Sequence, residues 1–173
     1  DFDGALLSGL PPDGGLYVPQ AWPRLSPADI AGLRGLPYAA VASQVVAPYV
    51  GESIPEAELR SLIEESYRTF DDAAVAPLKQ LADDLWIMEL FHGPTLAFKD
   101  IALQLLGRMF DRALKRRGER VVIIGATSGD TGSAAIEACR DRESMVVFIL
   151  HPHGRVSEVQ RRQMTSVTAA NVH

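Results

Sequence analysis

Val121-Val122-Ile123-Ile124-Gly125-Ala126-Thr127-Ser128-Gly129-Asp130-Thr131-Gly132 decides the fold. Its unbroken apolar opening reads as a strand buried on both faces of a parallel sheet. A turn rich in glycine and hydroxyls follows, and Thr131 to about Arg140 reads as a helix. Working outward, the same alternation recurs. Leu85 to Leu90 reads as a short buried strand. A helix is expected from about Ala97 to Arg117, with Ala102, Leu106, Met109 and Ala113 on its inner face. Gly118 is a natural stop for it. Met145 to Leu150 is a further strand, Val156 to Ser166 a further helix, and Asn171-Val172-His173 opens another strand. Strands alternating with helices imply an α/β fold with a parallel sheet and right-handed crossovers.

Residues 1–84 have a different texture and are expected to form a separate helical domain, with 85–173 forming part of the α/β domain. Pro11, Pro12, Asp13, Gly14 and Gly15 make a turn cluster before the strand-like Leu16-Tyr17-Val18. Ser26-Pro27-Ala28-Asp29 has the form of a helix start, with Pro27 suited to the first helical position. A helix is expected from about Tyr38 to Val46. Ser53 and Glu56 have capping-box spacing before a helix carrying Leu59, Leu62, Ile63 and Tyr67 on one face.

Composition narrows the function classes. Apolar residues make up 47% of 173, enough for a sizeable core. A formal charge of -5 argues against non-specific nucleic-acid binding. No apolar run approaches the roughly 18 to 20 residues of a membrane span. Nothing at the start has the form of a signal peptide. The single cysteine, Cys139, excludes an internal disulfide framework and fits a reducing, cytoplasmic setting. Among Ala134, Ala135 and Ala138 it reads as a packing residue. His151 and His153 flank Pro152 without cysteine or carboxylate companions at ligand spacing, so no metal site is expected. Nothing in the pattern sets an oligomeric state.

Of three lysines, Lys115 belongs to a basic last helical turn beside Arg116 and Arg117, and Lys79 reads as surface near a helix or loop edge. Lys99 follows Leu96-Ala97-Phe98 and stands in the first turn of the next helix. Partial positive charge at a helix start and apolar walls both disfavour an ammonium there and lower its pKa. A neutral amine is what condensation with an aldehyde requires. The plainer alternatives are a lysine reaching out of a helix start to water, or one paired with Asp100.

The turn from Gly125 to Gly132 sits where a parallel strand runs into a helix, and ligands bind beyond the carboxyl ends of such strands. Backbone N–H groups at the helix start attract a carboxylate or phosphate, and Thr127, Ser128 and Thr131 add hydroxyls. A tight turn capped by Ser128 or Asp130 is the plainer alternative. The run Gly-Ala-Thr-Ser-Gly also resembles the nucleotide loop of short-chain dehydrogenases. Against that, Gly132 lies one residue too far from Gly129, and Asp130 would repel a pyrophosphate. None of Tyr17, Tyr38, Tyr49 and Tyr67 stands one helical turn before a lysine, as that class needs.

The segment from Glu89 to Asp100 (Glu-Leu-Phe-His-Gly-Pro-Thr-Leu-Ala-Phe-Lys-Asp) resembles the cofactor-lysine motif of the threonine synthase family. Gly125 to Gly132 is similar to that family's substrate loop, and Asp13 to Pro19 to its N-terminal signature. Val156-Ser157-Glu158-Val159-Gln160 and Gln163-Met164 match as well. The likeness runs in order over the whole chain and is nearest to the longer bacterial and fungal type. It implies a tryptophan-synthase-β-like, fold type II architecture and pyridoxal 5'-phosphate. The implied reaction turns O-phospho-L-homoserine and water into L-threonine and phosphate.

By the same resemblance Lys99 carries the cofactor as a Schiff base and moves protons. Phe98 packs near the cofactor and keeps that bond dry, and Asp130 stands beside its 3′ oxygen. Thr127, Ser128, Gly129 and Thr131 hold the substrate carboxylate, and His92 contacts substrate phosphate unless the backbone satisfies it. The resemblance also implies a later glycine-rich loop for the cofactor phosphate and a polar group for its ring nitrogen, which fall beyond position 173. The chain is therefore expected to be a fragment, inactive alone. A related β- or γ-replacement lyase of the same fold and a non-catalytic binding protein remain alternatives.

Overall fold

A computed structural model describes residues 1–173, which divide into two compact units, Asp1–Glu65 and Ser66–His173. The first unit is helical: α1 (Phe2–Ser8), α2 (Pro27–Gly32), α3 (Tyr38–Val50), a 3-10 turn at Gly51–Ser53, and most of α4 (Glu56–Tyr67). The start foreseen at Ser26 is present. Ser26 Oγ accepts from the Asp29 N–H at 3.1 Å, and Asp29 Oδ2 accepts from the Ser26 N–H at 2.8 Å. Leu16-Tyr17-Val18 is not a strand; these residues are exposed and pair with no neighbouring strand. Leu59 and Ile63 of α4 are fully buried, as their spacing implies.

The second unit opens with a hairpin that the sequence reading missed. β1 (Leu78–Ala82) pairs antiparallel with β2 (Leu85–Met88), Lys79 opposite Ile87 and Gln80 opposite Trp86. The expected strand at Leu85 therefore exists, but it ends at Met88 and all of it is exposed instead of buried. Lys79 lies in a strand, where a helix or loop edge was expected. Asp83 and Asp84 form the turn between the two strands.

The α/β layer follows as α5 (Lys99–Arg117), β3 (Val121–Ala126), α6 (Asp130–Cys139), β4 (Met145–Leu150) and α7 (Glu158–Thr165). β3 and β4 are parallel, in register from Val121 against Met145 to Ala126 against Leu150. The strand foreseen at the end of the chain begins beside β4. Val147 N–H donates to Asn171 at 2.8 Å, and His173 N–H donates back to Val147 at 2.8 Å. Asn171 fixes that approach, its amide donating to the carbonyls of Cys139, Arg142 and Met145.

Burial is one-sided. Met145 and Val147 are buried with Ala134, Ile136 and Ala138 of α6, whereas Val122 and Ile124 are 61% and 72% exposed. The expectation of a strand buried on both faces is not met in this chain. An apolar run shows that both faces tolerate burial, and what covers them is a tertiary matter.

α5 buries another face than its apolar residues suggest. Met109 and Ala113 are inside as expected, but Ala102 and Leu106 are exposed, and Gln104, Leu105, Asp111 and Arg112 are buried. The helix approaches α6 at Gly107, where an added Cβ would lie 2.5 Å from the Ala138 carbonyl oxygen. The buried carboxylate on this face has partners. Asp111 accepts from Ser144 Oγ and pairs with Lys115 at 2.9 Å. Gly118, at φ 67°, ends α5 in the left-handed conformation, directly after a basic last turn.

Candidate functional site

The loop before α5 is shaped by a carboxylate. Asp100 is fully buried and accepts from the Thr95 N–H at 2.8 Å and from Thr95 Oγ1 at 2.7 Å. Gly93 lies against it so closely that a Cβ there would sit 2.4 Å from Asp100 Cβ. Between them Leu96 is held at φ 61°, a conformation a leucine adopts only when its surroundings impose it. Such strain clusters at functional sites.

This loop delivers Lys99 as the first residue of α5. Its side chain is half-buried, with Nζ 4.6 Å from the centre of the exposed Phe98 ring. Asp100 directs both oxygens to Thr95, and Lys99 makes no ion pair with it. The plain alternative of a Lys99–Asp100 pair is thereby removed. The amine is left without a carboxylate partner, beside an aromatic ring, at a helix start.

The glycine turn lies beyond the carboxyl ends of β3 and β4, where the Thr127 N–H still donates to the Leu150 carbonyl at 2.9 Å. Thr127 is its internal brace: Oγ1 accepts from the N–H groups of Gly129 at 3.1 Å and Gly132 at 3.0 Å. Gly129 stands at φ 152°, which side chains rarely adopt. Gly132 leaves no room for a methyl, since a Cβ would lie 2.5 Å from Thr127 Cγ2 and 2.7 Å from Met164 Sδ. Ser128, Asp130 and Thr131 are exposed at the head of α6, whose first N–H groups lack intrahelical acceptors. Asp130 Oδ1 accepts from Gln160 Nε2 at 2.7 Å.

Two separate loops are thus tied to one helix, because Gln163 Nε2 on α7 donates to the Thr95 carbonyl at 2.9 Å. Gln160 and Gln163 are three residues apart and neighbours on one face of α7, which brings the Lys99 loop and the Asp130 loop together. Neither glutamine was singled out as a site residue from sequence, although both fall in a matching motif.

His92 sits between two carboxylates. Nδ1 lies 2.6 Å from Asp71 Oδ1 and Nε2 2.8 Å from Glu89 Oε2, so carboxylates occupy both ring nitrogens. The Glu89 hydrogen bond, aided by Asp71 against the effect of burial, raises the His92 pKa. Contact with a substrate phosphate requires release of one carboxylate. An open depression of about 790 Å³ lies in the first unit, lined by Phe2, Tyr17 and Tyr49 among others, and includes none of these residues.

An unpaired amine beside an aromatic ring and a hydroxyl-lined turn at parallel strand ends fit an aldehyde cofactor and an amino-acid carboxylate. The fold and these loops define an α/β portion of the fold type II class of pyridoxal-phosphate proteins. Comparison with known proteins narrows the class. Residues 1–67 match the family model described as the threonine synthase N terminus. Threonine synthase of Pseudomonas aeruginosa is 58% identical over 173 residues, which are 100% of this chain and 37% of that protein. Threonine synthase-like 2 of Xenopus laevis is 41% identical, over 100% of this chain and 37% of its own length. The crystal structure of PLP-bound threonine synthase from Brucella melitensis superposes with a TM-score of 0.97. It is 54% identical, over 99% of this chain and 37% of that one. The chain is similar to the N-terminal portion of these threonine synthases and spans little more than a third of their length.

Proposed function

We propose that this chain supplies the cofactor lysine and the substrate loop of a threonine synthase, which converts O-phospho-L-homoserine and water to L-threonine and phosphate. The observation that carries the reading is the unpaired Lys99 amine, held in a loop that shares α7 with the hydroxyl-rich turn. In this reading the amine of Lys99 bonds pyridoxal phosphate as a Schiff base and moves protons at the substrate carbons. Once bound, the cofactor supplies an electron sink that stabilises carbanions. Phe98 covers the amine on one side and limits water there. Ser128 and Thr131 donate hydroxyls to the substrate carboxylate, together with the N–H groups at the head of α6. Gly129 keeps that approach open, and Thr127 holds the loop's shape. Asp130 stands beside the cofactor's 3′ oxygen. His92 reaches substrate phosphate only after releasing Asp71 or Glu89.

The division between a helical domain to residue 84 and a cofactor domain from 85, and action in the cytoplasm, belong to the same proposal. So does the expectation that these residues need the remainder of a longer protein to turn over substrate. Borohydride reduction in the presence of pyridoxal phosphate, followed by peptide mass analysis, tests the lysine. Label on Lys99 in a chain extended to the relatives' length, lost in Lys99→Ala, is expected. Label elsewhere, or none, refutes the assignment, and rapid turnover by residues 1–173 alone refutes the dependence on further chain.

The Xenopus relative's name, threonine synthase-like 2, favours keeping a second reading: a related lyase or a non-catalytic binder. Phosphate released together with threonine supports the synthase, 2-oxobutanoate or pyruvate supports a related lyase, and Lys99 labelling without turnover in the extended chain supports a binder.

A further inference from the structure

α7 is eight residues long, and three of its side chains point at the proposed site. Gln160 uses both ends of its amide. Its Oε1 accepts from the Ser157 N–H at 3.2 Å and Ser157 Oγ at 2.9 Å, closing a capping box at the helix start. Its Nε2 donates to Asp130 Oδ1 at 2.7 Å. That orientation is chemically required, because an amide oxygen turned toward the carboxylate would meet only like charge. Gly129 passes directly over this amide, and a Cβ there would lie 2.4 Å from Nε2. One helical turn along, Gln163 holds the Thr95 carbonyl at 2.9 Å, in the loop that Asp100 shapes and Lys99 ends. Met164 is buried against Gly132, the other close-packed glycine of the turn.

We propose that Gln160 and Gln163 are positioning residues. They hold the Asp130 carboxylate and the Thr95 carbonyl on one rigid helix face and so set the substrate loop against the loop that presents Lys99. The proposal rests on the reading of Lys99 and Asp130 as cofactor contacts. Neither glutamine touches the reacting atoms; each acts through the group it holds.

Gln160→Glu separates this role from helix stability. A glutamate keeps the capping box, since its carboxylate still accepts from Ser157. It cannot donate to Asp130 and faces it with like charge. The intact protein carrying Gln160→Glu is compared with wild type by amide exchange without cofactor, and by the pH titration of bound pyridoxal phosphate absorbance. Expected are exchange at Gly129 to Ser133 faster by about tenfold or more, unchanged exchange in the body of α7, and a displaced titration. Gln163→Leu is expected to speed exchange from Thr95 to Lys99 instead. Wild-type exchange at Gly129 to Ser133 in Gln160→Glu overturns the role of Gln160, and wild-type exchange at Thr95 to Lys99 in Gln163→Leu overturns that of Gln163. Failure of wild type to label at Lys99 with borohydride sinks the cofactor reading separately, while the exchange result still decides whether α7 holds the loops.

Discussion

Thr95→Val removes one hydroxyl and almost nothing else. The hydroxyl donates to Asp100 Oδ1 at 2.7 Å, and Asp100 is wholly buried. A hydrogen bond to a buried carboxylate contributes about 1.5 to 3 kcal/mol, and the orphaned oxygen has no water to replace it. The new methyl group returns up to about 0.8 kcal/mol through burial. The net loss is about 1 to 2 kcal/mol, with the Thr95 N–H bond to Oδ2 left in place. For a chain of this size that lowers the midpoint of thermal unfolding by about 2 to 8 °C. Thr95→Ser keeps the donor and is expected to lose less, about 1 kcal/mol at most. Urea unfolding gives the energies, and amide exchange from Gly93 to Asp100 shows where the structure loosens. Lys99 labelling by borohydride is also expected to fall in Thr95→Val, because this loop places the amine. Equal stability of Thr95→Val and wild type, or a Thr95→Ser loss as large as that of Thr95→Val, refutes the account of Asp100 as the loop's anchor.

Gly132→Ala puts a methyl 2.5 Å from Thr127 Cγ2 and 2.7 Å from Met164 Sδ, and is expected to cost about 1 to 3 kcal/mol in urea unfolding. Gly32→Ala meets nothing within 4 Å, and the same assay is expected to find it neutral or slightly stabilising. The His92 pKa is raised above its ordinary 6.5, chiefly by Glu89. Its contribution to stability is therefore fully present below pH 6.5 and lost as pH rises through the raised value. An NMR titration should find the elevated midpoint, and His92→Gln should flatten that part of the stability profile. Glu158 is held down to about 2 by Arg161 and Arg162. Its contribution is present above the ordinary 4.5 and lost as pH falls toward about 2, so the Glu158 carboxylate should titrate late and the start of α7 loosen only in strong acid.

Local signals carried further than long-range ones. Ser26-Pro27-Ala28-Asp29 announced a helix start, and Gly118 after three basic residues announced a helix end, because a cap is chosen by the few residues that form it. β1 escaped notice because Lys79 and Gln80 have little strand character, and the partner that makes them a hairpin supplies the pairing. The inner face of α5 was misjudged for a related reason. Gln104 and Asp111 look like solvent residues until Arg108, Ser144 and Lys115 are beside them.

Sequence alone determined that an apolar strand runs into a glycine- and hydroxyl-rich turn, that one lysine stands at a helix start, and which family these motifs resemble. Those are properties of neighbouring residues, and neighbours are read directly along a chain. Tertiary structure alone decided that Asp100 turns to Thr95 and leaves Lys99 unpaired, that His92 is enclosed by Asp71 and Glu89, and that α7 binds both loops through Gln160 and Gln163. Each of these depends on which of several possible hydrogen-bond partners arrives within about 3 Å. Residues distant in sequence supply many of those partners, and only the folded chain brings them there.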